Sequence, residues 1–279
     1  MKKIAFLFLT IRDVNFPKIW DKYFALNEDK ISIYIHPKYP SEAKWRTNNI
    51  ISNIKDTAWG FITRAYIELF KEAIKNKDNF KFITISESCV PIQSFDNLYN
   101  TLLTDNYSWV KLMKITQYKY EVILKKTPGK FIHHYARMCL NRHHVKKLLI
   151  NRKKLEFFHN MHIGDEYFLS VLNPLKNYYN KEITFDDWDY VFNQVAQLKI
   201  QIKKLYEEQE ENTTINNNDK ILSIKEHIKD IAKNPKSITD VKDDLIQIKQ
   251  SKAFFYRKFT INSNIEEYWD SIIKAHDNL

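Results

Sequence analysis

Hydrophobic positions in the first hundred residues switch repeatedly between two periods. Residues 3–10 form an almost unbroken apolar run, and residues 30–36 alternate apolar with polar before Pro37 stops them. Both read as strands, the first of the kind buried on both faces. Pro17 between them suits the first turn of a helix through Ala25. From residue 57 the period lengthens: Ala58, Phe61, Ile62, Ala65, Tyr66 and Leu69 recur at i, i+3, i+4 spacing, and the pattern continues through Phe70, Ala73 and Ile74. That predicts an amphipathic helix capped by Thr57. A β-branched and aromatic run follows at 80–85. The β-α-β-α-β order predicts an α/β protein with a mostly parallel, Rossmann-like sheet flanked by helices.

Further along, a strand is expected at 108–113, a turn at Pro128-Gly129, an apolar stretch at 131–140 and a helix over about 142–149. Gly164-Asp165-Glu166 opens a helix over 167–172 that Pro174 ends, and a short strand covers 183–185. Between about 190 and 250 glycine vanishes and three apolar seams appear: Val195/Leu198/Ile202/Leu205, Ile221/Ile224/Ile228/Ile231 and Ile238/Val241/Leu245/Ile248. Their narrow spacing suits a helical hairpin packed on the main body or a coil that pairs two chains. Residues 207–219 read as a polar connector, and 253–259 return to an aromatic core segment. Three segments result: 1–190, an α/β domain; 191–250, a helical appendage; and 251–279, which completes the domain.

Composition adds limits. The chain has 279 residues, 44% of them hydrophobic, enough for a packed core. Its net charge of +10 favours an anionic partner, which a phosphate-bearing small molecule satisfies as well as nucleic acid does. Cys89 and Cys139 are the only cysteines, so no disulfide framework exists and a reducing compartment is expected. The opening Met1-Lys2-Lys3 and its apolar run are too short for a secretory signal, with Arg12 and Asp13 following directly. No stretch approaches the ~20 apolar residues that span a bilayer. A cytoplasmic protein is expected, with the sequon Asn212-Thr213-Thr214 unused. Three glycines, at 60, 129 and 164, exclude a glycine-rich phosphate loop. The histidines lack zinc spacing.

Candidate chemistry gathers where strands end. Pro91 stops the 80–85 strand, and Ser86-Glu87-Ser88 sits at its exit, where open α/β sheets bind ligands. An acid-x-acid clamp for a divalent cation would need carboxylates in the outer positions; serines are poor substitutes. Asp165-Glu166 at a helix start could cap that helix or supply a general base. Arg257-Lys258 is either a solvated pair or, enclosed by Phe254, Phe255, Tyr256 and Phe259, a fixed cation pair. Asp187-Trp188-Asp189 has the form of a clamp.

Six motifs occur in order: Ile35-His36-Pro37-Lys38-Tyr39, Thr57-Ala58-Trp59-Gly60, Ser86-Glu87-Ser88-Cys89-Val90-Pro91-Ile92, Asp165-Glu166-Tyr167-Phe168, Thr184-Phe185-Asp186-Asp187-Trp188 and Phe255-Tyr256-Arg257-Lys258-Phe259. Together, over residues 3–262, they resemble the core-2/I-branching β-1,6-N-acetylglucosaminyltransferases, a family that also contains the peptide O-xylosyltransferases. The resemblance implies a GT-A type fold, a UDP-sugar donor (UDP-GlcNAc or UDP-xylose), inversion at the anomeric carbon and no divalent metal or other cofactor. It assigns the catalytic base to Glu166, with Asp165 as its capping neighbour. Lys258 matches the residue on the diphosphate, with Arg257 a second donor, and His36 lies where the nucleoside is met. Tyr135 and Arg137 fall on the acceptor side. Glu87 and Ser88 would hold a sugar hydroxyl, and Asp187 and Trp188 match a later Asp-Trp motif that is structural or sugar-contacting.

Animal members are disulfide-bonded Golgi proteins with a membrane anchor, features this sequence lacks. The expected partners are therefore a UDP-sugar and a glycan or glycoprotein acceptor, without nucleic acid or a membrane span, and the appendage is compatible with a homodimer. The competing reading is a non-catalytic basic protein that binds glycan or nucleic acid on a degenerate scaffold. Glu166 together with Lys258 speaks against it.

Overall fold

The computed structural model describes residues 1–114, 131–211 and 216–277. In chain order it begins with β1 (Lys3–Thr10), α1 (Pro17–Phe24), β2 (Ile31–Pro37), α2 (Thr63–Ala73) and β3 (Asn79–Ser86). There follow β4 (Val90–Pro91), α3 (Phe95–Leu103), β5 (Ser108–Trp109), β6 (Cys139–Asn141), α4 (Arg142–Ile150) and α5 (Arg152–His159). The remainder comprises β7 (Tyr178–Tyr179), β8 (Thr184–Asp186), α6 (Trp188–Glu211), α7 (Asn218–Ile231), α8 (Leu245–Gln250), β9 (Phe255–Arg257) and α9 (Ile265–Asp277).

The main sheet has the order β2-β1-β3-β6-β5-β7. β1 is parallel to both β2 and β3, and β6 alone runs against its neighbours β3 and β5. The α/β class and mostly parallel sheet expected from the sequence stand. The unbroken apolar run of β1 has a direct cause. Ile4, Phe6 and Phe8 face one core with Trp20 and Phe24, while Ala5 and Leu7 face the other with Tyr66 and Phe70. A strand covered on both faces has no polar side. A second, three-stranded sheet, β4-β9-β8, packs into the first of these cores through Phe255 and Tyr256.

Several elements differ from the sequence pattern. The second helix starts at Thr63, not at Thr57, because Gly60 adopts φ +76° and Ala58 bridges to Phe61 in a turn. Phe61, counted on the apolar face, is exposed instead. Of the expected strand at 108–113 only Ser108–Trp109 pairs as a strand, and 167–172 is a 3-10 helix. The first two seams lie on the two helices of the α6–α7 hairpin, which pack on each other. The third does not join them: Ile238, Val241 and Ile248 are buried in the main core. The turn expected at Pro128-Gly129 and the sequon at 212–214 lie outside the described residues. No described helix is long and apolar enough to cross a membrane.

Gly164 marks the tightest packing near the strand ends. A Cβ there would lie 2.1 Å from the Phe158 carbonyl oxygen, a backbone atom that cannot swing aside. Gly164→Ala is therefore expected to destabilise the protein by about 1–3 kcal/mol, the usual cost of overpacking. Equilibrium urea unfolding measures this, and an unchanged midpoint would contradict the packing described.

Candidate active site

A cavity of about 690 Å³ opens at the carboxyl ends of β1, β2 and β3. Three groups of residues wall it: the strand exits at Ile11, Lys38 and Glu87; the loops carrying Trp59 and Glu166; and Arg257 and Lys258 at the end of β9. Ligand sites at strand carboxyl ends follow from parallel-sheet topology, where successive loops gather on one edge.

Glu87 ties two exits together. Its Oε2 accepts from the Ile11 backbone N–H just beyond β1, and its own carbonyl accepts from Asn15 N at 2.9 Å. Burial pushes the Glu87 carboxyl above its ordinary value, against the pull of the Ile11 N–H and the charges of Lys258 and Arg257. Ser88 is buried, and its carbonyl accepts from Phe259 N at 3.2 Å, which joins this exit to the second sheet.

Glu166 sits on a single 3-10 turn, Gly164–Glu166, entered through Ile163 at φ +54°. The preceding loop is fastened by a hydrogen bond from Ile163 N to Gly60 O of 2.6 Å. The carboxylate Oε2 of Glu166 lies 3.1 Å from His133 Nε2, and its side chain keeps 25% of its surface exposed. With the proton on Nε2 the ring donates to the carboxylate. His133 is itself held by Tyr167, whose ring stacks on it at 4.6 Å and 5° between planes. Asp165, by contrast, is buried, and its Oδ1 has no hydrogen-bond partner among the described residues. Burial first, then Glu166, push its carboxyl up to about 6, with Arg137 and Arg257 opposing.

One part of the wall is cationic. Asp186, at the end of β8, lies 2.8 Å from Arg137 Nη2 and 3.2 Å from Arg257 Nη1. Burial would raise its carboxyl, but the two guanidiniums outweigh that and hold it below its ordinary value. One carboxylate cannot satisfy two forked guanidiniums: Arg137 Nε and Arg257 Nε have no hydrogen-bond partner among the described residues. Lys258 adds an ammonium whose Nζ donates to Asn234 Oδ1 at 3.0 Å. Burial and then Arg257 push the Lys258 ammonium below its ordinary value, with Glu87 opposing.

Of the residues singled out in the sequence, Glu87, Ser88, Arg137, Asp165, Glu166, Trp188, Arg257 and Lys258 all reach this cavity. His36, Tyr135 and Asp187 do not line it. His36 is fully buried, and its Nε2 accepts from Lys55 N at 2.9 Å, so it props the following loop. Lys38 and Tyr39, past the end of β2, line the cavity where His36 was expected. Tyr135 is half-buried beside Asp186, and its hydroxyl is pushed up to about 12 by burial and then by Asp186. Asp187 does structural work: its Oδ1 accepts from Tyr190 N at 3.1 Å in the first turn of α6, and its carbonyl accepts from Lys236 N at 3.0 Å. The Asp187-Trp188-Asp189 run thus divides between a cap, a cavity wall and an exposed residue. Among the described residues no three His, Cys, Asp or Glu side chains converge as a metal site.

Sequence reasoning missed His133, Trp59 and Asn234 as parts of the site. Trp59, in the sequence only one member of a motif, is 59% exposed on the cavity wall with its ring 5.0 Å from that of His162. Nothing local around the His133-His134 doublet signals that His133 meets Glu166.

Residues 4–203 match the family model described as Core-2/I-Branching enzyme. "Glycosyltransferase BC10" of Oryza sativa subsp. japonica is 27% identical over 118 residues, 39% of this chain and 30% of that protein. The chain thus matches less than a third of that relative's length. Among solved structures, A197 from STIV gives a TM-score of 0.29 at 10% identity, covering 52% of this chain and 68% of that one. An active-site mutant of LgtC gives 0.35 at 15% identity, covering 68% and 77%. Neither score reaches the level at which a shared fold follows. The family match spans well over half of the chain, from β1 through most of α6, and takes in the strand exits, the Glu166 turn and Asp186. The chain belongs to the core-2/I-branching enzyme family, and with it to the glycosyltransferases.

Proposed function

We propose that this protein is an inverting glycosyltransferase that moves a sugar, GlcNAc-like or xylose, from a UDP-sugar to a hydroxyl of a glycan or protein acceptor without a divalent metal. The observation that carries the reading is the pairing, in one cavity, of a carboxylate oriented by a histidine with a cluster of under-satisfied cations.

Inversion needs one base and one stabilised leaving group. Glu166 takes the proton of the acceptor hydroxyl as its oxygen attacks the anomeric carbon. The bond from that carbon to the diphosphate oxygen breaks on the opposite face, and its electron pair stays with UDP. Arg257 and Lys258 receive that charge, fixed in place before it develops. Asp186 holds the Arg257 guanidinium at the wall without cancelling the whole cluster. Metal independence is supported by the donor set at the β3 exit. Its outer positions are Ser86 and Ser88, and one oxygen of its single carboxylate, Glu87, is already engaged by the Ile11 N–H. Trp59 and Trp188 offer apolar faces on the cavity wall for the sugar rings.

The two adjacent carboxylates have different tasks. Glu166 keeps solvent access and a hydrogen-bonding histidine, as a base requires. Asp165 is buried with a raised carboxyl and does not cap the turn as expected, since the Gly164–Glu166 turn follows Ile163 and has no side-chain cap.

Glu166→Gln is expected to lower kcat by roughly 10²–10⁴-fold, the span of a general base, while UDP affinity stays within about twofold of wild type by calorimetry. Wild-type turnover in that variant would remove Glu166 as base. Lys258→Ala should weaken UDP binding by roughly 10- to 100-fold, since charge-assisted hydrogen bonds contribute about 1.5–3 kcal/mol. A thermal-shift series with UDP-, GDP- and CMP-sugars, with and without Mn²⁺, should show stabilisation by UDP-sugars alone that is equal in EDTA. Stabilisation only with Mn²⁺ would refute metal independence. Asp165 gives a pH prediction with a definite sign. Its carboxyl titrates higher in the folded chain than in the unfolded one, so the native state binds more protons between about pH 4 and 6, and stability falls across that window. Asp165→Asn removes this contribution. Its melting temperature relative to wild type should therefore rise from pH 4 to 7, and a pH-independent difference would contradict the assignment.

A further inference from the structure

The α6–α7 hairpin stands on the cavity with both feet. Trp188, the first residue of α6, lines one part of the wall, and the segment Ala232-Lys233-Asn234-Pro235 after α7 lines another. The feet are fastened to each other, since Lys236 N donates to the Asp187 carbonyl at 3.0 Å. They are also fastened to the strand-end cations. Ile238 N donates to the Lys258 carbonyl at 2.7 Å, and Thr260 N donates back to the Ile238 carbonyl at 3.0 Å. The segment therefore runs beside residues 258–260 as an extra edge. At its cavity end, Asn234 Oδ1 accepts from Lys258 Nζ at 3.0 Å. Asn234 lies beyond residues 4–203, the part of the chain that the family match covers.

We infer that Asn234 is the positioning residue of the donor site: from the foot of the hairpin it fixes the Lys258 ammonium toward the diphosphate without neutralising it. The inference rests on the donor reading given above and adds to it a residue outside the family match. The choice of an amide has a physical reason. A lysine side chain loses about 2 kcal/mol of rotamer entropy when it is held in one place. A partner that holds it before the ligand arrives removes part of that cost from binding. A carboxylate in the same place would hold it more strongly but would compete with the phosphates for the charge. A neutral oxygen takes one of the three ammonium N–H groups and leaves two for the ligand. The two carboxylates near enough to act on Lys258 are both engaged elsewhere, Glu87 at the Ile11 N–H and Asp186 by Arg137 and Arg257.

The test is calorimetric binding of UDP and of uridine to wild type, Asn234→Ala, Asn234→Asp, Lys258→Ala and the double variant Asn234→Ala/Lys258→Ala. Asn234→Ala is expected to weaken UDP binding about fivefold, the net value of one hydrogen bond. Asn234→Asp, nearly the same shape, is expected to weaken it further, because its carboxylate opposes the diphosphate. Uridine, which carries no phosphate, should bind all five proteins alike, and adding Asn234→Ala to Lys258→Ala should change UDP binding no further. A merely structural Asn234 would give a different pattern: Asp tolerated, uridine and UDP affected equally, or the full loss persisting in the absence of Lys258. Any of these overturns the positioning role while Lys258→Ala alone still weakens UDP. If instead wild type fails to bind UDP, or Lys258→Ala binds it as wild type does, the donor reading fails and this inference falls with it.

Discussion

The buried contact of Asp186 with Arg137 and Arg257 is the interaction on which the rest of the molecule's chemistry depends. Asp186 ends β8, Arg257 ends β9 directly opposite it in register, and Arg137 precedes β6 of the main sheet. The triad therefore joins two sheets at one point beneath the cavity. Taking three ionised groups out of water is expensive, and such clusters rarely add net stability over apolar packing. What it does supply is placement. One carboxylate holds two guanidiniums without saturating them, so a cationic wall persists inside a folded protein.

The remaining architecture brings complementary groups to that wall. β1 buries both its faces and so runs through the centre of the molecule, delivering Thr10 and Ile11 to the same edge as Glu87 from β3. The Glu166 turn reaches the cavity through an irregular loop that packs against Phe158 and is pinned to Gly60. Both contacts demand glycine, one for want of space and one for its positive φ. In a chain with three glycines, two stand beside this site.

Three carboxylates around one cavity are separated in character by their surroundings alone. Glu87 is engaged by a backbone N–H, Asp165 is buried with one oxygen unpartnered among the described residues, and Glu166 lines the cavity with His133 on its carboxylate. Residue type does not separate them, and neither does position in the chain for the adjacent pair. Burial and hydrogen bonding do.

Local patterns alone specify the apolar run of β1, the alternation of β2, the helical stripe from Ala65 to Ala73, and the polar exits that follow strands. These were legible because side-chain period and burial are coupled within one element. The motifs also carried the family, and most of the cavity-lining residues, through Glu87, Glu166, Arg257 and Lys258. Tertiary structure decided what depends on distant neighbours. It turned His36 inward, made Asp187 a cap, and placed the third seam in the core instead of the hairpin. It also set His133 on Glu166 and Asn234 on Lys258, pairs 33 and 24 residues apart. No local pattern encodes such contacts, because a hydrogen bond between loops is fixed by where the sheets bring their ends, and that is settled only when the two cores close.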